Sequence, residues 1–325
     1  MKHQILFKLQ ETDDFVSGGK LAKEFGLSRT AIWKHIHSLM SDGYEIESVT
    51  NKGYRLISSP DIINYDEIKD ELETKIIGRS IYHYKTIDST NKKAKELAPK
   101  VEEGTVVVSE EQTSGRGRLG RSWNSKMTKG IYTSIIVKPK TEPDKVAKLT
   151  LLAAAAVFQA FEEIGIDSTI KWPNDILVKG KKVAGILTEM NCELGIINHI
   201  VLGIGINVNH NYDDIPEDLR EKATSLKIET GEQIDRKHLF SILLNHLDEL
   251  YIPFETTGDF ETALDICRDN SAVIGEDILV VQGHMTREGR AISINHNGEL
   301  MVRFEDGLEP VLSGEVSIRK KDRYI

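Results

Sequence analysis

Only two cysteines occur in the 325 residues, Cys192 and Cys267, and they stand far apart with no histidine cluster beside either. That argues against a disulfide framework and against a zinc site, and it makes a reducing, cytoplasmic setting the default. Long apolar runs are missing too. The most apolar stretch, Leu149 to Phe158, is too short to span a bilayer. Met1 to Gln10 has no uninterrupted apolar core and no small-residue cleavage site, so it does not read as a signal peptide. Nor is there an excess of positive charge: 42 Lys and Arg face 51 Asp and Glu, a formal −9. A chain that coats nucleic acid along its length is therefore not expected. No internal repeat and no low-complexity tract is visible.

What is present is an ordinary globular composition, 39% hydrophobic and 29% charged, in a chain long enough for two or three domains. The charge is uneven. Residues 1–58 hold eight Lys and Arg against seven Asp and Glu, so the net negative charge lies in the remainder. Residues 2–11 read as a short helix, and Ser17 caps a second from Gly18 to Phe25. Gly26-Leu27-Ser28 makes a tight turn before a third helix, Arg29 to about Met40, which is a helix-turn-helix pattern. On that third helix Ile32, Ile36, Leu39 and Met40 form the expected buried stripe. Ser28, Arg29, Thr30, Trp33, Lys34 and His37 are left for the outer face, with no acidic residue between Ser28 and Met40. Phosphates repel carboxylates and base edges need donors, so this face suits a DNA groove. Tyr44–Val49 and Tyr54–Ile57 follow as a hairpin across Asn51-Lys52-Gly53, which makes the segment a winged helix, with Lys52 and Arg55 placed to reach backbone phosphates. A protein-binding helical cap is the alternative. Ser58-Ser59-Pro60 reads as a linker.

The stretch with the most chemistry is Ser114-Gly115-Arg116-Gly117-Arg118-Leu119-Gly120-Arg121-Ser122-Trp123. Its glycines permit positive φ and its guanidinium forks match carboxylate or phosphate oxygens. Gly115-x-Gly117-x-x-Gly120 satisfies the dinucleotide fingerprint only as letters: a strand precedes it, but Ser122 to Lys126 is no helix start, and there is no Gly-Lys-Ser/Thr ending for a P-loop. The loop either folds over an anionic ligand, with Trp123 free to stack on a ring, or is a solvated basic turn. Before it, Asp88-Ser89-Thr90-Asn91 offers several helix caps, and these groups could equally bind ligand oxygens. After it come a strand Ile131–Val137 and an interior helix from Asp144 to Ile164. Lys171-Trp172-Pro173-Asn174-Asp175 then sets polar groups at a bend, where Asp175 could neighbour Mg²⁺ or simply serve a turn. Ile176–Val178 and Val183–Leu187 pair across Lys179 to Lys182, leaving Lys182 either aimed into a pocket or exposed in the turn. In the strand Val201–Asn209 the glycines allow close approach of a ligand, and Asn207 is a candidate contact. Helices at about 235–250 and 259–268 are expected next, and four or five short strands from Asn270 onward read as a small barrel.

Asp88-Ser89-Thr90-Asn91, Glu111 to Arg118, Trp123, Lys171 to Asp175, Lys182 to Leu187 and Gly203-Ile204-Gly205-Ile206-Asn207, in that order and spacing, resemble the bifunctional biotin protein ligase and biotin operon repressor family. The resemblance implies an α+β chain of three domains: a winged helix-turn-helix at 1–60, an α/β mixed-sheet catalytic domain at 61–270 and an SH3-like β-barrel at 271–325. It implies that biotin, ATP and Mg²⁺ are used to make biotinyl-5′-AMP and then to biotinylate a lysine of a biotin carboxyl carrier domain. The winged helix adds repression of biotin genes at operator DNA by a homodimer holding biotinyl-5′-AMP. By the same resemblance Lys182, Arg116 and Arg118 are catalytic. Ser89, Thr90, Asn91, Gln112, Gly115, Gly117 and Gly185 line the biotin and adenylate site with them, and Arg121, Trp123, Asn174, Asp175, Asn207 and Arg319 serve the nucleotide. No dedicated protein metal site is implied, and no membrane. Lipoate-type ligation and a metabolite-sensing repressor without catalysis are the rival readings. The first is separated by offering labelled biotin and labelled lipoate with ATP, the second by pyrophosphate release.

Overall fold

The computed structural model describes residues 1–41, 43–314 and 316–320, and they group into two units, Met1–Ile62 and Ile63–Ile325. The first unit contains α1 (Lys2–Gln10), α2 (Gly18–Phe25) and α3 (Arg29–Ser41), followed by β1 (Glu45–Val49) and β2 (Gly53–Ser58). The Ser17 hydroxyl accepts the Lys20 amide and the Ser28 hydroxyl accepts that of Ala31, each at 3.1 Å, so both helices start where a capping oxygen stands. Gly26, at φ 65°, ends α2 in the left-handed conformation. Ile5, Leu6, Leu9, Leu21, Ile32, Ile36 and Leu39 make the core with Val16, Tyr44 and Ile46 of the wing side. Met40 departs from expectation, being 41% exposed. It lies beyond the arc that Ile32, Ile36 and Leu39 already fill, at the margin of the apolar stripe.

The second unit opens with α4 (Tyr65–Ile68) and then builds its main sheet from β3 (Ile81–Tyr84), β4 (Thr105–Ser109), β5 (Gly130–Val137), β6 (Thr169–Lys171), β7 (Asp175–Val178), β8 (Lys181–Glu193) and β9 (Ile196–Asn207). Their order is β3-β4-β5-β9-β8-β7-β6. The β3–β4 pair is parallel and every other pair antiparallel, a mixed sheet as the sequence suggested. Period-two alternation sorts the side chains: Val106, Val108, Ile135 and Leu202 face the larger core, whereas Val107, Ile136 and Val201 face α5 (Thr90–Leu97). The larger core is covered by α6 (Val146–Glu163), apolar nearly all round, and by α8 (Arg236–Thr257), which follows the short α7 (Leu226–Thr230). The sequence placed the end of α8 near 250, but the helix continues through Pro253 to a left-handed Gly258. The turn before β8 holds only Lys179 and Gly180, both at positive φ (48° and 77°), the pair a two-residue type I′ hairpin uses. Lys182 is thus a strand residue.

After α9 (Glu261–Asp269) come β10 (Asp277–Gln282), β11 (Met285–Ile294), β12 (Leu300–Phe304), β13 (Gly307–Val311) and β14 (Val316–Lys320). They form a five-stranded antiparallel sheet in the order β13-β12-β11-β10-β14. The strands expected there are present as this sheet. Trp172, buried at the bend between β6 and β7, donates its Nε1–H to the Gly298 carbonyl at 3.0 Å and so ties the two sheets together.

The wing is held to the helical part by paired amides: Val16 N donates to Tyr54 O at 2.8 Å and Tyr54 N to Val16 O at 3.0 Å. Gly53 makes that approach possible. It sits at φ 117°, and a Cβ there would lie 2.1 Å from the Val16 carbonyl oxygen. Gly53→Ala is expected to destabilise the first unit by roughly 2 kcal/mol or more. Calorimetry of the full chain checks this, with the transition of the first unit shifted down and that of the second unmoved.

Candidate active site

The basic loop runs between β4 and β5, and both of its feet are gripped by one arginine. Arg236 on α8 is fully buried; its Nη2 donates to Glu110 Oε2 at 2.8 Å and its Nη1 to the Gly130 carbonyl at 2.7 Å. Burial pushes the Glu110 carboxyl up, but His83 and Arg236 outweigh it and hold the group below its ordinary range. Gly117 N donates to Arg121 O at 2.8 Å and Trp123 N to Gly115 O at 2.9 Å, so the loop closes as a narrow hairpin over Leu119 and Gly120, both at positive φ. Gly115 is needed inside it, since a Cβ there would meet the Trp123 carbonyl at 2.4 Å.

This hairpin covers two adjoining cavities. The smaller is floored by Gly185 of β8 and by Gly203 and Gly205 of β9, and its walls include Ser89, Thr90, Asn91, Gln112, Arg116, Gly117, Arg118, Trp123 and Lys182. Gln112 knits the wall together. Its Oε1 accepts both the amide and the hydroxyl of Thr90, at 2.8 and 3.0 Å, while its Nε2 donates to Ser125 Oγ at 2.8 Å. Ser89 caps α5 from a buried position, as the sequence allowed. Asn91 lines the recess, yet its amide is turned into the floor. It donates to Glu189 Oε2 at 2.8 Å and accepts from Ser134 Oγ at 2.6 Å, and a Cβ at Gly203 would come 2.1 Å from its oxygen. The glycines at 185 and 205 make room for the Trp123 ring: Cβ atoms there would lie 3.1 and 2.6 Å from it. The Trp123 Nε1–H is buried and has no hydrogen-bond partner among the described residues.

The larger cavity is a cleft of about 690 Å³ whose walls include Arg121, Trp123, Lys171, Asn174, Asp175, Lys182, Asn207 and, from β14, Arg319. Lys182 Nζ lies 2.6 Å from Asp175 Oδ1 and 5.3 Å from the centre of the Trp123 ring. Its backbone is pinned by Lys182 N to Lys222 O at 2.8 Å and Thr224 N to Lys182 O at 2.9 Å. Asn207 donates its Nδ2 to Thr224 O at 3.0 Å. Arg118 reaches across the loop, with Nη1 on Asn174 Oδ1 at 2.7 Å and Nη2 on the carbonyls of Ser313 and Gly314. Gly117, Arg118, Trp123, Asn174 and Lys182 border both cavities. Every catalytic-domain position singled out from the sequence therefore faces one cavity or the other, except Gly115, which is spent on the hairpin.

Two buried groups of the cleft carried no role in the sequence reading. Lys171, 5% exposed at the end of β6, has its proton affinity pulled down by burial, to a pKa of about 8. His210 is likewise pulled down by burial, to about 4, with Nε2 3.2 Å from the Tyr132 hydroxyl. Lys171 stood in view inside Lys171–Asp175, but burial cannot be read from one lysine in a motif. Asp175 lies beside the Lys182 ammonium, and among the described residues no three His, Cys, Asp or Glu side chains cluster. In the first unit the outer face of α3 is exposed as expected, with Trp33 half-exposed and its ring centre 4.1 Å from that of His37, the two planes tilted by 50°. Arg55 is already engaged, 2.6 Å from Glu47 and 4.8 Å over the Phe15 ring.

A mixed sheet carrying an arginine hairpin over a glycine floor, in a chain headed by a helix-turn-helix, matches known proteins in which a protein ligase is joined to a DNA-binding module. The family profile of the biotin/lipoate A/B protein ligases matches residues 83–207, and a helix-turn-helix domain profile matches residues 2–55. The bifunctional ligase/repressor BirA of Bacillus subtilis is 40% identical over 312 residues, covering 95% of both chains. Its namesake from Escherichia coli is 28% identical over 98% of this chain and 97% of its own. The crystal structure of the biotin protein ligase from Aquifex aeolicus in complex with biotin and ATP superposes with a TM-score of 0.66 at 32% identity, over 75% of this chain and all of that one. The chain belongs to the bifunctional ligase/repressor family.

Burial of neutral His210 has a pH signature. The folded form releases its proton near pH 4 and the unfolded form near 6.5, so the unfolded state binds more protons between those values. Stability is complete above about 6.5 and is lost as pH falls toward 4, by roughly 2–3 kcal/mol from this group. His210→Gln, which keeps a polar group beside Tyr132 but cannot titrate, should flatten that part of the decline in urea unfolding measured from pH 7 to pH 4.5.

Proposed function

We propose that the chain is an ATP-dependent, AMP-forming biotin protein ligase that also acts as a repressor, and that its two cavities are the biotin and nucleotide subsites. The observation that carries this reading is that the cavities share one wall, and that Lys182 stands in it beside Arg118. In the first half-reaction a biotin carboxylate oxygen attacks the α-phosphorus of ATP, the bond to the bridging oxygen breaks, and pyrophosphate leaves. Two anions must meet, so the rate depends on fixed positive charge where they approach. Lys182 supplies it at the join, and Arg116 from the wall of the smaller cavity. Arg118, through Asn174 and the carbonyls at 313 and 314, keeps the hairpin closed over the reacting groups and water away from the mixed anhydride. The unpartnered Trp123 Nε1–H is a donor available to ligand oxygen, and its ring is placed to stack on a base. Arg121, Asn207 and Arg319 border the phosphate and sugar end of the nucleotide. Mg²⁺ enters on the phosphates of ATP and supplies charge neutralisation there. In the second half-reaction a carrier-domain lysine amine attacks the biotinyl carbonyl and AMP leaves.

The repressor role rests on the exposed, acid-free face of α3, with Arg29, Lys34 and His37 toward a DNA groove and Lys52 toward the backbone. Biotinyl-5′-AMP held under the hairpin acts as the corepressor of a homodimer, whose paired winged helices then meet a palindromic operator. The setting is the cytoplasm, where ATP, carrier domains and operator DNA occur together; no helix among the described residues is long and apolar enough to cross a membrane.

Intact-mass analysis of a biotin carboxyl carrier domain incubated with the protein, biotin and ATP should show one added biotinyl group. An unmodified carrier would sink the ligase reading. Lys182→Ala should cut biotin-dependent pyrophosphate release by at least about a hundredfold while leaving the folded near-UV spectrum unchanged; release at the native rate removes Lys182 from the chemistry. Operator binding by gel shift should require biotin and ATP together.

A further inference from the structure

We propose that Glu189, with Ser134, is a positioning residue that sets the depth of the smaller cavity. The two hold the Asn91 amide as the end wall of the recess, so that an acid whose carboxylate lies at Lys182 is accepted only up to a fixed length. The inference rests on the ligase reading of that cavity and adds to it what limits the substrate. The register of the sheet orders the recess from end to end. Gly185 of β8 pairs with Gly205 of β9, Leu187 with Gly203 and Glu189 with Val201, while Ser134 of β5 pairs with Gly203 from the other side. Residues two apart on a strand share a face and stand about 7 Å apart. The first of these rows lies under Lys182 and Trp123, since a Cβ at Gly185 would come 2.9 Å from Lys182 Nζ and 3.1 Å from the Trp123 ring. In the second row Leu187 and Gly203 line the cavity with Asn91, and a Cβ at Gly203 would fall on the Asn91 amide. In the third row Val201 is buried against Ala94 and Ala98. The recess therefore runs one row away from its join with the larger cavity and stops at Asn91.

Asn91 is held from both sides. Its Nδ2 donates to Glu189 Oε2 at 2.8 Å, and its Oδ1 accepts from Ser134 Oγ at 2.6 Å. Asn91 is buried and Ser134 fully so. Behind them Lys95 of α5 lies 2.6 Å from the other oxygen of Glu189. Burial pushes the Glu189 carboxyl up, but Lys95 and Asn91 outweigh it and hold the group below its ordinary range. An ionised carboxylate only accepts hydrogen bonds, so the amino end of Asn91 turns to it and the oxygen end stays over Gly203. Two short hydrogen bonds, one of them to a charge, keep this wall from being pushed aside by a ligand.

Equilibrium titration of the full-length protein with biotin, and with its homologue lengthened by one methylene in the acid chain, reads the end wall directly. The native protein should prefer biotin by at least about tenfold, the usual worth of one methylene in a closed pocket. Glu189→Ala and Ser134→Ala should each weaken biotin at least about fivefold and cut that preference at least about threefold, because the longer acid gains room as the wall gives way. Glu189→Gln, whose amide oxygen still accepts from Asn91, should keep the preference within about twofold of native. A merely structural role would weaken both acids alike. An unchanged preference in an alanine variant that folds, a Glu189→Gln as relaxed as Glu189→Ala, or a native protein that takes both acids equally overturns the proposal. Biotin bound with the same preference by native and variant proteins leaves the ligase reading intact, whereas a native protein that binds neither acid sinks both.

Discussion

The ion pair between Lys182 and Asp175, at 2.6 Å in the wall shared by two cavities, is the contact around which the site is assembled. It sets an ammonium at the junction of the two cavities. The fold spends much of its local structure on fixing it. The two-residue turn at Lys179 and Gly180 brings β8 back beside β7, both backbone polar groups of Lys182 are tied to the 222–224 segment, and the missing side chain at Gly185 leaves space for its stem. A charge held by so many constraints needs little reorganisation when a substrate arrives, which is where electrostatic catalysis gains most.

Glycine and arginine divide the remaining work between them. At 185, 203 and 205 an absent Cβ admits the Trp123 ring and the Asn91 amide to the surface of the sheet, so the recess is floored by backbone. Arg236 grips both feet of the hairpin from inside the core, and Arg118 grips its middle from above. The loop that carries Arg116 and Arg121 is therefore fixed at three levels, and those two exposed guanidinium groups are carried on a frame, not on a loose strap.

Much of this was legible in the sequence where local chemistry decides the outcome. Ser17 and Ser28 are capping residues before apolar stripes, Thr105 to Ser109 is a run of β-formers, and the glycine spacing in 203–205 announced a surface that something approaches. The difficulties arose where distant contacts decide. Met40 has the right period for burial but sits at the edge of an arc that three larger neighbours already fill. The helix expected to end near 250 passes Pro253 because packing of α8 on α6 outweighs the lost amide. Lys182 looked as much a turn residue as a pocket residue until the positive φ at Lys179 shortened the turn. Lys171 and His210 gave no signal, since burial of a titratable side chain is a property of everything packed round it.

The small C-terminal sheet has the appearance of an appendage, but two of its segments take part in the central machinery. The carbonyls of Ser313 and Gly314 receive Arg118, and that of Gly298 receives the Trp172 indole. Truncation before residue 270 would leave the arginine without its anchors and open one side of the larger cleft, so the site cannot be cut whole from the middle of this chain. Modularity here ends at the winged helix; behind it, sheet and sheet are a single instrument.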